Sequence, residues 1–220
     1  MNSFTEENYL KIIYSLSNTQ EGDVTTNALA ERTRTKAASV SDMLRKLAEK
    51  ELIHYKKYQG VRLTPYGEQV ALRVIRKHRL WEVFLVEKLG FRWDEVHPIA
   101  EELEHIRSEV LVERLDAFLG HPAADPHGDP IPTPDGTMPQ PDYGRLSDSS
   151  PRTKVTMMGV SEHGPAFLQH LARSGLTLGC TLEIAEINAF DKSLLLRIND
   201  STPQFISHDV ARHVLVTSQP

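Results

Sequence analysis

Apolar residues first recur at helical spacing near the front of the chain. Tyr9, Ile12, Ile13 and Leu16 within YLKIIYSLS predict a helix over residues 9–17. Glu21-Gly22-Asp23 breaks it, and VTTNALAERTRTKAASVSDMLRKLAEKELI then reads as two further helices. Thr26 or Asn27 can cap the first of these, with Leu29 and Ala30 facing inward. Thr35-Lys36-Ala37-Ala38 turns the chain into the second, whose inner face is Val40, Met43, Leu44 and Leu47. Residues 53–58 and 61–64 are β-rich runs around Gln59-Gly60, a hairpin signal.

Helix, turn, helix and hairpin in that order predict a winged helix-turn-helix. In that module the second helix enters the major groove and the wing lies along the phosphates. A three-helix domain with no nucleic-acid role would share the apolar pattern. It would not need short polar residues (Ser39, Ser41) and cations (Lys36, Arg45, Lys46) on the outer face of the second helix. The candidate DNA contacts are Thr26, Lys36, Ser39, Ser41, Arg45, Lys57 and Arg62.

Residues 67–119 are strongly helical, with one long helix over 69–84 running on toward Leu89 and one or two more over 93–119. The texture changes over 121–152, which hold 8 of the 13 prolines and predict a linker or extended crossover. Strand character returns in KVTMMGV, TLEIAEI, SLLLRI, PQFIS and HVLVTS, with a helix over 165–174 ending at Gly175. Five short strands and one helix predict a small SH3-like β-barrel. The fold class is mainly α with a β C-terminal part. Its divisions are a winged helix-turn-helix (1–72), a helical domain (73–120), a Pro-rich linker (121–152) and the barrel (153–220).

The composition is that of an ordinary soluble chain, 40% hydrophobic and 25% charged. No apolar run approaches the roughly 18 residues of a membrane span, and the polar N-terminus carries no signal-peptide pattern. The single cysteine, Cys180, excludes an intrachain disulfide and a multi-thiolate metal site, and fits a reducing cytoplasm. A net charge of −5 argues against a simple basic nucleic-acid binder. The charge is divided, however. Residues 1–80 hold 14 Lys/Arg against 9 Asp/Glu, a net of +5, and residues 81–220 hold 11 against 21, a net of −10. A basic front and an acidic rear suggest separate tasks.

The acidic half carries a candidate metal constellation. HPIAEELEHIRSE sets His97, Glu101, Glu104 and His105 in one helical stretch, at offsets of four, seven and eight that return to one face. KHRLWE sets His78 and Glu82 at i and i+4 on another helix. Two helices presenting imidazole and carboxylate could hold one or two divalent ions. With no thiolate among these residues, Mn²⁺ and Fe²⁺ suit the set best, and Zn²⁺ binds such ligands too.

EENYLKIIY, the winged helix, RKHRLWEVFL, VHPIAEELEHIRSE, HPAADPHGDPIP and the β-rich end together resemble the diphtheria toxin repressor and manganese transport regulator family of metal-dependent transcriptional repressors. The resemblance covers nearly the whole chain, and the end is similar to ferrous-iron transport protein A. It implies a homodimer, a palindromic double-stranded operator, and a divalent metal co-repressor, Mn(II) first and Fe(II) second. It implies a primary metal site of Glu101, Glu104, His105 and Asn8, and an ancillary one of His78, Glu82 and His97. In manganese-type members His78 would instead join the primary carboxylates. Glu101 stands where iron-type members carry cysteine. Asn8 stands where manganese-type members carry aspartate and iron-type members methionine. Lys11 replaces a glutamate that manganese-type members use as a ligand, a departure from their two-metal cluster. Asp125, His127, Glu162 and His163 are further candidate ligands.

Two other function classes fit parts of the pattern. One is a metal-independent winged-helix regulator sensing a small ligand through the barrel. The other is a metallohydrolase, which no nucleophile elbow, phosphate loop or HExxH motif supports, so an enzyme is not expected.

Overall fold

A capping box starts the first helix. In the computed structural model, which describes residues 2–19, 22–56 and 60–218, α1 spans Phe4–Thr19. Ser3 Oγ accepts from Glu6 N at 3.3 Å and Glu6 Oε2 accepts from Ser3 N at 2.8 Å, so two orphan donors of the first turn are satisfied reciprocally. Glu6 also takes Lys50 Nζ at 2.7 Å. Burial pushes the Glu6 carboxyl up, but the Lys50 and Ser3 hydrogen bonds outweigh it and hold it below the usual glutamate range.

A depressed folded pKa stabilises the fold above the unfolded value, and that contribution is lost as pH falls through the folded one. Glu6→Gln is therefore expected to cost about 1 kcal/mol at pH 7. The gap to wild type should close as pH drops below the ordinary glutamate value of 4.5. Urea unfolding at a series of pH values checks this, and a gap that stays constant into acid would remove the charge from the explanation.

The chain forms two compact units. The first is Met1–His78 with Glu101–Glu109 and Pro132–Met138, and the second is Arg79–Ala100 with Val110–Ile131 and Pro139–Pro220. In the first, α1 is followed by α2 (Thr26–Thr33), α3 (Ala37–Glu49), β1 (Ile53–Lys56), β2 (Gly60–Leu63) and the start of α4 (Pro65–Leu89). The α2 cap is Thr25, not Thr26 or Asn27: Thr25 Oγ1 accepts from Ala28 N at 3.1 Å, and Thr26 already has helical backbone. Leu10, Ile13, Leu29, Val40, Leu44 and Leu47 are fully buried in one core, with Val70 and Ala71 of α4 in the same cluster. β1 and β2 pair antiparallel from Ile53↔Leu63 to Lys56↔Gly60, and Val24 bridges Val61. The predicted hairpin turn at Gln59 lies outside the described residues. α4 starts before residue 69 because Thr64 Oγ1 accepts from Gly67 N at 3.0 Å and Pro65 supplies a first residue that needs no donor.

α5 (Val96–Leu103) is shorter than the pattern predicts. Ile106 N closes on Leu103 O at 3.1 Å, so Glu104 and His105 stand on a turn past the helix end, and the one-face argument from His97 does not carry to them. α6 (Glu109–Phe118) follows, then a segment without helix in which Ala124 bridges Pro130 and Ile131 is buried beside Leu80 and Val83.

The C-terminal sheet runs β3 (Gly144–Arg145), β4 (Lys154–Val160), β5 (Thr181–Ile187), β6 (Leu194–Ile198), β7 (Gln204–Ile206) and β8 (Val214–Ser218). A 3₁₀ turn follows β3, α7 (Pro165–Arg173) lies between β4 and β5, and α8 (His208–Ala211) precedes β8. The strands pair antiparallel in the order β3-β8-β4-β5-β6-β7. All five predicted strands form, as β4 to β8, and β3 joins them from the stretch read as linker. One expectation is corrected: the sheet is open rather than closed into a barrel. Its edge strands are only two and three residues long, too short to complete a ring of ladder hydrogen bonds. Met157, Leu168, Leu171, Leu182, Ile184 and Leu196 fill its core, and Cys180 is buried there with its thiol pushed up by burial. Among the described residues no helix is long and apolar enough to cross a membrane.

Candidate metal centre and nucleic-acid interface

In the second unit α4 projects Glu82 toward the loop that carries Asp125 and His127. Each of the three offers one ligand atom, and these atoms lie within 4.8 Å of one another. All three side chains are buried, at 2%, 5% and 3% exposure. His127 Nδ1 is 3.5 Å from Glu82 Oε2 and 3.8 Å from Asp125 Oδ1. Its Nε2–H donates to Trp93 O at 2.8 Å, which orients the ring and leaves Nδ1 as the ligand nitrogen. His97 Nδ1 stands 3.5 Å from the other Glu82 oxygen, and this ring is exposed.

The loop folds on itself to do this. Asp125 Oδ1 accepts from His127 N at 2.8 Å and from Asp129 N at 3.1 Å, an Asx turn. Burial, with Asp129 and Glu82 adding, pushes the Asp125 carboxyl up to about 7. Burial lowers His127, but hydrogen bonding and charge from Glu82 overcome it and raise the ring to about 9. Two carboxylates and an imidazole gathered in a buried space fit a divalent ion of the hard or borderline kind. Of the remaining candidates, His163 Nε2 stands 3.8 Å from Asp129 and its ring is 5.2 Å from that of His127. Glu162 turns back to accept from Gly164 N at 2.7 Å.

The other predicted set lies in the first unit and is organised differently. Glu104 is fully buried, and its two oxygens accept from Lys11 Nζ at 2.7 and 2.8 Å. His78 Nδ1 donates to Glu104 Oε2 at 2.5 Å, and Lys11 also lies 3.6 Å from the half-exposed Glu101. Burial pushes the Glu104 carboxyl up, yet the His78 hydrogen bond and Lys11 charge outweigh it and hold it below its ordinary value. His105 Nδ1 donates to Glu7 Oε2 at 2.7 Å and its ring stacks on Phe4 at 4.6 Å. Asn8 Oδ1 is buried without a hydrogen-bond partner among the described residues. Glu7 was not among the predicted site residues, and Lys11 was named only as the replacement of a ligand glutamate. The spacing of Phe4, Glu7, Asn8 and Lys11, which puts them on one face of α1, is the signal that could have found them.

On the outer face of α3, Lys36, Ser39 and Arg45 are exposed. Ser41 is half-buried and donates to Ala37 O at 2.9 Å. Arg45 pairs with Asp42, and Arg62 on β2 pairs with Asp23. Thr26 is half-buried at the start of α2, and Lys57 lies outside the described residues.

Three family models match the chain in order. They are an iron dependent repressor N-terminal DNA binding domain over residues 2–61, an iron dependent repressor metal binding and dimerisation domain over 64–133, and a FeoA domain over 144–218. A manganese-dependent transcriptional repressor, solved in complex with manganese, is 36% identical with a TM-score of 0.84, over 97% of this chain and all of that one. The chain belongs to the diphtheria toxin repressor and manganese transport regulator family. The manganese regulator SloR is 33% identical with a TM-score of 0.73, over 97% of this chain and 98% of that one. The iron-dependent repressor IdeR of Mycobacterium leprae (strain TN) is 37% identical over 129 residues, 58% of this chain and 55% of its own length. The chain thus spans about half the length of the curated relatives it matches. Within the family's ligand pattern, Lys11 places an ammonium against Glu104 and Glu101. A divalent ion among Asn8, Glu101, Glu104 and His105 would have this ammonium as a like-charged neighbour. Glu82, Asp125 and His127 also have a cation nearby, with Arg79 Nε 3.6 Å from Asp125 Oδ2, but among the described residues no ammonium grips either carboxylate at two points as Lys11 grips Glu104.

Proposed function

We propose that this protein is a DNA-binding transcriptional repressor whose operator affinity depends on a divalent metal, Mn(II) ahead of Fe(II), held by Glu82, Asp125 and His127. The observation that carries the reading is this buried group of two carboxylates and an imidazole on a chain that begins with a winged helix. Bound there, the ion would add its charge to that of Arg79, whose Nε is 3.6 Å from Asp125 Oδ2, and would replace the proton that Glu82 and Asp125 favour on His127. α4 links the two tasks: Val70 and Ala71 lie in the core of the winged helix, and Glu82 stands three turns further along. A ligand set that favours one arrangement of α4 and the 124–130 loop biases the head toward the DNA-competent geometry, since only differential affinity moves such an equilibrium. Lys36, Ser39, Ser41, Arg45, Lys57 and Arg62, with Thr26 at the start of α2, are the residues we assign to phosphate and groove contact. Arg45 and Arg62 exchange Asp42 and Asp23 for phosphate on binding.

Exposed Leu89, Phe91, Val110, Leu111 and Phe118 lie in the stretch that matches the metal binding and dimerisation domain, and support a homodimer. Two heads on a two-fold axis suit a palindromic operator with half-sites one or more helical turns apart. The regulated genes are those of metal homeostasis, the site of action is the cytoplasm, and no catalytic role is proposed for the metal group.

Selection from a random duplex pool with Mn²⁺ present tests the reading. The enriched duplex is expected to be pseudo-palindromic and to be released by chelator. The logarithm of affinity should fall steeply with that of salt, and Lys36→Ala or Arg62→Ala should reduce the slope by about 1 each. Equal affinity with and without chelator would favour a metal-independent regulator instead.

A further inference from the structure

We infer that Lys11 is the built-in cation of the N-terminal site. It holds α1 to the Glu101–Glu109 segment without metal and leaves Glu82, Asp125 and His127 as the place where the chain takes up its ion. The inference rests on the proposed function only for that last clause.

Lys11 Nζ sits 2.7 and 2.8 Å from the two oxygens of Glu104, a two-point grip on a carboxylate that has no exposure to solvent. The Lys11 side chain is itself only 17% exposed. The same nitrogen lies 3.6 Å from Glu101, so one fixed positive charge serves both carboxylates of the predicted primary site. The remaining groups are committed as well. His78 donates to Glu104, and His105 donates to Glu7 at 2.7 Å while stacked on Phe4. Asn8 Oδ1 has no hydrogen-bond partner among the described residues, but one neutral oxygen does not outweigh an ammonium. A divalent ion at Glu104 would have to share this enclosed space with a like charge anchored on α1. Lys77, close by and donating to Ile106 O at 3.3 Å, adds a second cation to the same unit. Phe4, Glu7 and Lys11 on one face of α1 thus clasp Glu104 and His105 by stacking, hydrogen bonding and an ion pair.

Counting Mn²⁺ on the full chain by equilibrium dialysis and electron paramagnetic resonance tests this. Wild type is expected to hold one tight equivalent, and Glu104→Gln to hold the same one. Lys11→Glu removes the competing charge and adds a carboxylate, so it should gain one equivalent over wild type, lost again in Lys11→Glu/Glu104→Gln. Lys11→Met should lower the melting temperature of the metal-free protein by several degrees. A wild type that gives up one equivalent on Glu104→Gln would overturn the inference, as would a folded Lys11→Glu variant with no gain. If Lys11→Glu fails to fold, the Glu104→Gln count decides. A wild type that binds no Mn²⁺ defeats the metal reading of Glu82, Asp125 and His127 alone, and the gain in Lys11→Glu still reports on Lys11.

Discussion

Glu82→Gln is expected to weaken Mn²⁺ binding by at least about 100-fold, roughly 2.7 kcal/mol, and to leave operator affinity nearly insensitive to metal. Glu82 is the only ligand of the buried group that a regular helix supplies, and its two oxygens face different imidazoles, His97 and His127, each at 3.5 Å. The amide keeps the shape but removes the charge and turns one acceptor into a donor, which a cation cannot use. The fold should survive, because Leu80 and Val83 on the same turns of α4 are anchored in the core with Val112 and Leu115. Calorimetric titration of the apo-protein with Mn²⁺, together with anisotropy on the selected duplex, separates loss of metal from loss of fold. Unchanged affinity would take the metal role away from this group.

The residues behind that result were unequally legible in the sequence. Glu82 announces itself through i, i+4 spacing from His78, and the inner face of α3 through Val40, Met43, Leu44 and Leu47, because helical periodicity is a local property of the chain. Asp125 and His127 lie in a proline-rich stretch that reads as linker, and no local pattern brings them to Glu82. Their burial depends on Ile131 entering the helical core and on the loop lying against β4. The end of α5 failed for a related reason. The apolar and acidic rhythm of HPIAEELEHI continues past Leu103, but Glu104 is claimed by Lys11 and His78 from distant parts of the chain. Tertiary bonds overrode propensity there. Helix starts were missed where polar caps, Ser3 with Glu6 and Thr64 with Pro65, carry the signal without apolar spacing. β3 is two residues long and has no pattern to read, and the open sheet follows from edges that only three-dimensional pairing defines.

Gly128→Ala should be the most damaging single methyl in the second unit. Gly128 adopts φ +88°, where a side chain is strained. A Cβ there would stand 2.1 Å from Met158 O and 2.3 Å from Gly159 Cα, both backbone atoms with no rotamer to yield. Gly159 lies at the bulge of β4, so two glycines back to back let the ligand loop rest on the strand, where Val160 N donates to His127 O at 2.9 Å. Alanine forces the loop to lift, breaks that hydrogen bond and carries His127 away from Glu82. The expected cost is about 3 kcal/mol or more in the metal-free protein, with Mn²⁺ affinity lost besides. Gly175→Ala is the matched comparison. It shares a positive φ of +74°, but an added Cβ meets nothing within 4 Å, so only backbone strain of about 1 kcal/mol remains. Urea unfolding of both variants, followed by Mn²⁺ titration, separates strain from contact. Equal losses would mean that the loop does not depend on its seat against β4, and a Gly128→Ala protein that still binds Mn²⁺ at wild-type affinity would mean that the seat does not position His127.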